Sequence, residues 1–193
     1  MIWHRTGAEA EVMLPDFLTH YYEADTGPFR SLSSLSQADA AALLARLRDD
    51  GVFAGKRAAD YLARRHRAEA LVRAAFIAKG GRPARMHPHY MILGACPWLC
   101  TWYRDGRALC IPLDAFPAEC VSFTYGDTFP ALFFDDGKSY RKQVYTLAEL
   151  PDLMAQHGLP QEWNADGRRG PDRYIEAQVW ADGPVAVYLR PAR

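Results

Sequence analysis

Apolar and aromatic residues interleaved with Thr19 and His20 fill "PDFLTHYY", residues 15–22, and a period of two divides them between two faces. Phe17, Thr19 and Tyr21 take one face and Leu18, His20 and Tyr22 the other, which predicts a strand running towards a Gly27-Pro28 turn. The period then lengthens. In "SSLSQADAAALLARLRDDG", Ser36 is placed as an N-cap with Asp39 three positions on, Leu43, Leu44 and Leu47 form an apolar stripe, and Gly51 supplies a stop, predicting a helix near 36–49. A longer helix is predicted near 57–79, rich in Ala, Arg, Leu and Glu, with Tyr61, Leu62, Leu71, Val72, Ala75 and Phe76 as buried positions and Gly80-Gly81 as its end.

Beyond a loop rich in Pro and His, the pattern returns to short strands. "RALCIPLDAF" and "ECVSFTYGDTFP" predict two of them, the second setting Val121, Phe123 and Tyr125 against Ser122 and Thr124. Asp136-Gly137 within "FFDDGKSYRKQVY" is a hairpin signal. Thr146 and Glu149 are spaced as a capping box for a short helix that Gly158 ends, with Pro151 in its first turns. "RYIEAQVW" and "GPVAVYL" predict a closing hairpin around Asp182-Gly183-Pro184. Helices and strands that do not alternate regularly imply an α+β fold with a mixed or antiparallel sheet, in which the strands at 15–22, 119–125 and 173–180 share one sheet system.

Composition narrows this further. A chain of 193 residues with 49% hydrophobic content can bury one sizeable core, so a single domain over 1–193 is expected, with the helical segment at about 36–80 as a candidate inserted subdomain. Lys plus Arg and Asp plus Glu both total 23, which gives no basic excess to draw the chain to nucleic acid or to anionic membrane. No run approaches the roughly eighteen apolar residues of a membrane span, and the N-terminal stretch lacks the apolar core of a secretory signal; a cytosolic protein is expected. The Arg-rich stretch of Arg64, Arg65, His66, Arg67 and Arg73 could contact phosphates, but with no net charge on the chain it reads as a solvated helix face.

Cys96, Cys100, Cys110 and Cys120 crowd one stretch, with His87 and His89 upstream. The H-x-H pair lacks the helical spacing of common zinc fingers, so the cysteines are read as packing residues and no metal is expected on them. The more informative chemistry lies in the late strand. Ile175, Ala177 and Val179 make one face, while Tyr174, Glu176, Gln178 and Trp180 make the other. A carboxylate among aromatic rings suits a concave, half-wet surface better than open water or a dry core; the plain alternative is an ordinary sheet with Glu176 paired to an Arg across a strand. His20 and the hydroxyls of Ser122, Thr124 and Tyr125 are further polar groups, and Gly126 permits a close backbone approach.

Taken in order, "LTHYY", "VSFTYGD" and "YIEAQVW" resemble the His-Tyr-Glu branch of the ADP-ribosyltransferase fold family. The resemblance implies NAD as cofactor, with His20 holding the ribose, Tyr125 stacking on nicotinamide and Glu176 steadying the ribosyl cation; Tyr21, Ser122 and Gln178 would line the same cleft. It also implies a long insertion between the first and second of these motifs. A broader resemblance, through "HPHYMILG", "SFTYGD" with "VYTL", and "GLPQEWN" with "GPDRYIEAQVW", is to a family of bacterial cytosolic proteins to which no activity attaches, and it implies one coherent domain. Three functions remain open: an NAD-using transferase, a non-catalytic module that binds a small ligand or a protein partner, and a metal-dependent hydrolase using His87, His89 and an acidic residue.

Overall fold

The structure, a computed structural model, describes residues 13–49, 58 and 60–189. Its frame is a 6-stranded antiparallel sheet in the order β3-β1-β2-β6-β4-β5, made of β1 (Phe17–Glu23), β2 (His89–Leu93), β3 (Gly106–Pro112), β4 (Val121–Tyr125), β5 (Tyr145–Thr146) and β6 (Ile175–Val179). The helices are α1 (Gln37–Asp49), α2 (Tyr61–Ala78), α3 (Thr128–Phe133), α4 (Leu150–His157) and α5 (Pro160–Trp163). This is an α+β fold, as the absence of regular alternation implied. β1 and β6 do belong to one sheet, separated by β2. No described helix is long and apolar enough to cross a membrane.

Local signals hold where the chemistry is short-range. Ser36 Oγ accepts from the Asp39 amide at 3.1 Å, and Thr146 and Glu149 form the capping box before α4, which ends at Gly158 with φ +70°. The stop at Gly51 and the start of the second helix at Arg57 lie outside the described residues. Two expected hairpins are absent. β6 is already hydrogen-bonded to β2 on one edge and β4 on the other, so "GPVAVYL" has no free edge to join, and with Pro184 in its first turn it forms a 3-10 turn over Gly183–Tyr188. Around Gly137 the turn forms with φ +75°, but its flanks are the end of α3 and an irregular segment, because Arg141 is drawn inward to Asp136 and Asp172.

The two faces of the sheet differ. One carries Leu18, Met91, Leu93, Ile111, Val121, Phe123, Ile175, Ala177 and Val179 into an apolar core closed by Leu150, Leu153 and Met154 of α4 and by Leu159. The other carries Ser122, Thr124, Glu176 and Gln178, all buried, and lies against α2. The helix matches it in kind. Its C-terminal half packs Val72 and Phe76 on Trp180 and Val144, whereas Arg65 and Glu69 in its N-terminal half meet Tyr90. Arg65 is therefore half-buried rather than part of a solvated face, and Arg73 donates to the carbonyls of Arg85 and Pro83.

A buried ion cluster locks the loop that leads into β6. Asp172, with no exposed surface, accepts from Arg141 at 2.7 and 2.9 Å, from Lys138 at 2.8 Å and from Tyr140 at 2.9 Å. A Cβ at residue 126 would stand 2.5 Å from Asp172 Oδ1, so this site needs glycine for space as well as for its φ of +88°. Removing one member of such a cluster strands the other charge in the interior. Asp172→Ala should lower the unfolding free energy by about 3–5 kcal/mol in urea titrations followed by tryptophan fluorescence.

Candidate functional site

Glu176 lies opposite Thr124 on β4 and Ile92 on β2, and Gln178 lies opposite Ser122 and Tyr90. These registers put the polar side chains of three strands on the α2 side, where water cannot serve them, and they satisfy one another. Trp180 Nε1 donates to Ser122 Oγ at 2.9 Å, Ser122 donates to Gln178 Oε1 at 2.9 Å, and Gln178 Nε2 donates to Thr124 Oγ1 at 3.0 Å and Thr128 Oγ1 at 3.2 Å. The relay ends at Glu176 Oε2, which accepts from the Thr128 hydroxyl and, at 3.0 Å, from the Thr128 amide.

Among the described residues no Lys, Arg or His stands within ion-pairing distance of Glu176. The expected alternative of a cross-strand Arg partner is thus not formed, and the residue is not a wet position either, with 9% of its surface exposed. Burial, and then the negative charge of Asp127, raise its carboxyl to about 8, against the pull of the Thr128 donors and the more distant Arg65. Asp127 itself caps α3, accepting from the Phe129 amide at 2.8 Å, and Tyr174 donates to its other oxygen at 3.3 Å.

Of the residues singled out from the sequence, Glu176, Gln178 and Ser122 meet in this network. Tyr21 shares the face but is occupied elsewhere: its hydroxyl accepts from the Cys96 amide at 2.9 Å, within a cluster of Ile92, Cys96, Leu99 and Tyr174. His20 and Tyr125 are not brought to Glu176. Pleating sends both to the opposite face, since His20 alternates with Thr19 and Tyr125 lies across from Ile175. His20 has both ring nitrogens engaged by backbone, Nδ1 with the Tyr90 carbonyl and Nε2 with the Phe29 amide, each at 2.8 Å. Burial pushes it down to about 4, so it is a neutral structural group stacked on Phe29. The Tyr125 hydroxyl bonds the carbonyls of His157 and Gly158 and accepts from Trp163 Nε1, and burial pushes its pKa up.

The histidines of "HPH" part company as well. His89 bonds Asp182 at 2.8 Å, whereas His87 Nδ1 lies 2.6 Å from Glu69 Oε2. They therefore do not share a metal site. Cys96 and Cys120 are buried, Cys100 is half-buried and Cys110 is exposed; none joins a ligand cluster among the described residues. The ligand-type cluster that does form, His66, Glu69 and His87, joins two residues one helical turn apart on α2 with one from the segment before β2. The sequence carried half of that signal, in the spacing of His66 and Glu69. Comparison of the chain with protein-family models, with curated proteins and with solved structures finds no match.

The raised carboxyl of Glu176 has a stability consequence whose sign is fixed. The folded protein holds a proton there that the unfolded chain releases near the ordinary Glu value of 4.5, so stability falls as pH rises from about 4.5 to about 8 and the loss is then complete. Glu176→Gln, which keeps the shape without the charge, should flatten that decline. Melting temperatures measured between pH 4.5 and 9 should show the variant gaining on the native protein as pH rises.

Proposed function

We propose that this chain is a non-catalytic small-ligand-binding module whose site is the polar layer around Glu176, and that its ligand presents a positively charged nitrogen to Glu176. The observation that carries this reading is the Glu176 carboxyl itself: enclosed, held on one oxygen by Thr128, and without an ion-pair partner among the described residues. A carboxyl enclosed in this way retains a proton at neutral pH, and a cationic nitrogen that reaches it takes over that proton's electrostatic role.

The surroundings support a cation. The rings of Tyr90 and Phe129 already carry the guanidinium groups of Arg65 and Arg64 at 4.5 and 5.3 Å, which makes them faces suited to a positive charge. Asp127 and Phe129, on either side of Thr128, are half-buried, so the layer reaches the surface there. The transferase expectation requires His20, Tyr125 and Glu176 in one NAD cleft; with the first two on the other face of the sheet it loses its geometric support.

Thermal shift with a panel of small amines and guanidines at millimolar concentration tests the reading, with NAD run beside them. A binder should raise the melting temperature by mass action, and its affinity should increase from pH 6 to pH 8.5 because Glu176 must give up its proton. Glu176→Gln should weaken binding by about tenfold or more, the scale of a hydrogen bond to a charged group. A shift that survives Glu176→Gln unchanged would move the site elsewhere, and a response to NAD with nicotinamide release would restore the transferase.

A further inference from the structure

At the other end of the polar layer, His66, Glu69 and His87 each offer one ligand atom, and these atoms lie within 4.8 Å of one another. Glu69 is fully buried, and its two oxygens are divided between tasks. Oε1 accepts from Ser33 Oγ at 2.6 Å, Arg65 Nε at 3.0 Å and the Tyr90 hydroxyl at 3.2 Å, which fixes the carboxylate from three separate segments. Oε2 is turned to His87. The rings of His66 and His87 stack at 4.6 Å, and His66 Nε2 is buried without a hydrogen-bond partner among the described residues. A buried imidazole nitrogen left unmet is unusual, since most buried polar atoms find a partner.

Space adjoins the cluster on both sides of His66. One cavity, about 200 Å³, is lined by His66, Arg73, Met86 and His87, and the other, about 400 Å³, by Gln37, Arg48, Leu62 and His66. We propose that His66, Glu69 and His87 bind a divalent transition-metal ion, with a coordination position left open towards these cavities. Two imidazoles and one carboxylate are the donor set of open zinc sites and of other first-row metals, whereas calcium and magnesium take oxygen donors. The bonds that Ser33, Arg65 and Tyr90 make to Oε1 are the outer contacts that orient such a ligand while leaving Oε2 free for the metal.

Binding exchanges one link for another. The His87 Nδ1 to Glu69 Oε2 separation of 2.6 Å is that of a hydrogen bond. Two ligands of one tetrahedral ion stand roughly 3.3 Å apart for bonds of about 2.0 Å. The hydrogen shared by His87 Nδ1 and Glu69 Oε2 would therefore be displaced from between them, and both atoms would be ligands of the ion. Of the residues weighed for a metal in the sequence, His87 alone is among these ligands; His89 and the four cysteines are not, and neither is Glu176.

The test is zinc titration of the metal-free full chain by calorimetry, with Co²⁺ as a spectroscopic probe. One zinc per chain is expected, and visible Co²⁺ bands without a near-ultraviolet thiolate charge-transfer band. His66→Ala and His87→Ala should each weaken uptake by at least a hundredfold while circular dichroism stays native, and Ser33→Ala should weaken it by about tenfold through the Glu69 contact. Replacing all four cysteines by serine, and separately Glu176→Gln, should leave zinc uptake unchanged. The proposal is overturned by failure of the native chain to take up zinc, by native-like binding in folded His66→Ala, or by loss of binding in the cysteine variant. Should the histidine variants not fold, a thiolate band in the Co²⁺ form of the native chain would overturn it alone.

Discussion

β6 has no unclaimed side. Its edges are taken by β2 and β4, its apolar residues enter the core closed by α4, and its polar residues lie beneath α2. Any hydrogen-bonding group on this strand must therefore be satisfied by protein, because leaving one unmet in the interior costs about as much as a whole hydrogen bond contributes, or more. Gln178 meets that demand fully, with its oxygen held by Ser122 and its nitrogen by Thr124 and Thr128. Glu176 meets it on one oxygen and retains a proton. The difference between these two residues, two positions apart on the same face, separates the structural part of the layer from the part free to do chemistry.

The same demand explains the form of α2. A helix packed on an apolar sheet face would carry a continuous apolar stripe, whereas this one is split, with Arg65 and Glu69 ahead of Val72 and Phe76. Arg65 stacks on Tyr90 and bonds Glu69, so a guanidinium is buried without being left alone. Ser33, in the turn before α1, bonds the same carboxylate, which ties the segment preceding α1 to α2 through one oxygen atom. Register along the helix is thereby set by polar contacts as well as by packing.

What could be read from the sequence was whatever short spacing determines. The faces of β4 and β6, the Ser36 cap, the Thr146–Glu149 box and the need for glycine at 126 all follow from residues within a few positions of one another or from a single backbone requirement. Strand neighbours do not. The hairpin expected after Asp182 failed because the alternation in "RYIEAQVW" says nothing about which strands occupy its edges; β2, some eighty residues earlier, and β4 had claimed both. His20 and Tyr125 were grouped with Glu176 on motif order, and order along the chain carries no information about which side of a pleat a side chain leaves from. Thr128, the residue that holds Glu176, gave no signal at all, since its role arises only when α3 folds back over the end of β4.

Burial of unlike groups in one layer also has an electrostatic logic. Arg65 and Glu69 neutralise each other at contact distance, so the middle of the layer contributes little net field. Beyond them, Glu176 lies in a region of low polarity with the negative charge of Asp127 nearby, and its proton is the least costly way to hold it there. A charge entering there is felt more strongly than at the surface, because water does not screen it and the surrounding hydroxyl and amide dipoles are already fixed by their own bonds. An apolar substitution at Glu176 would remove the repulsion but leave the Thr128 amide and hydroxyl without an acceptor. The layer therefore favours a group that can switch between neutral and charged at this position, and among the side chains that accept two such donors a carboxyl is the one that does so near neutral pH.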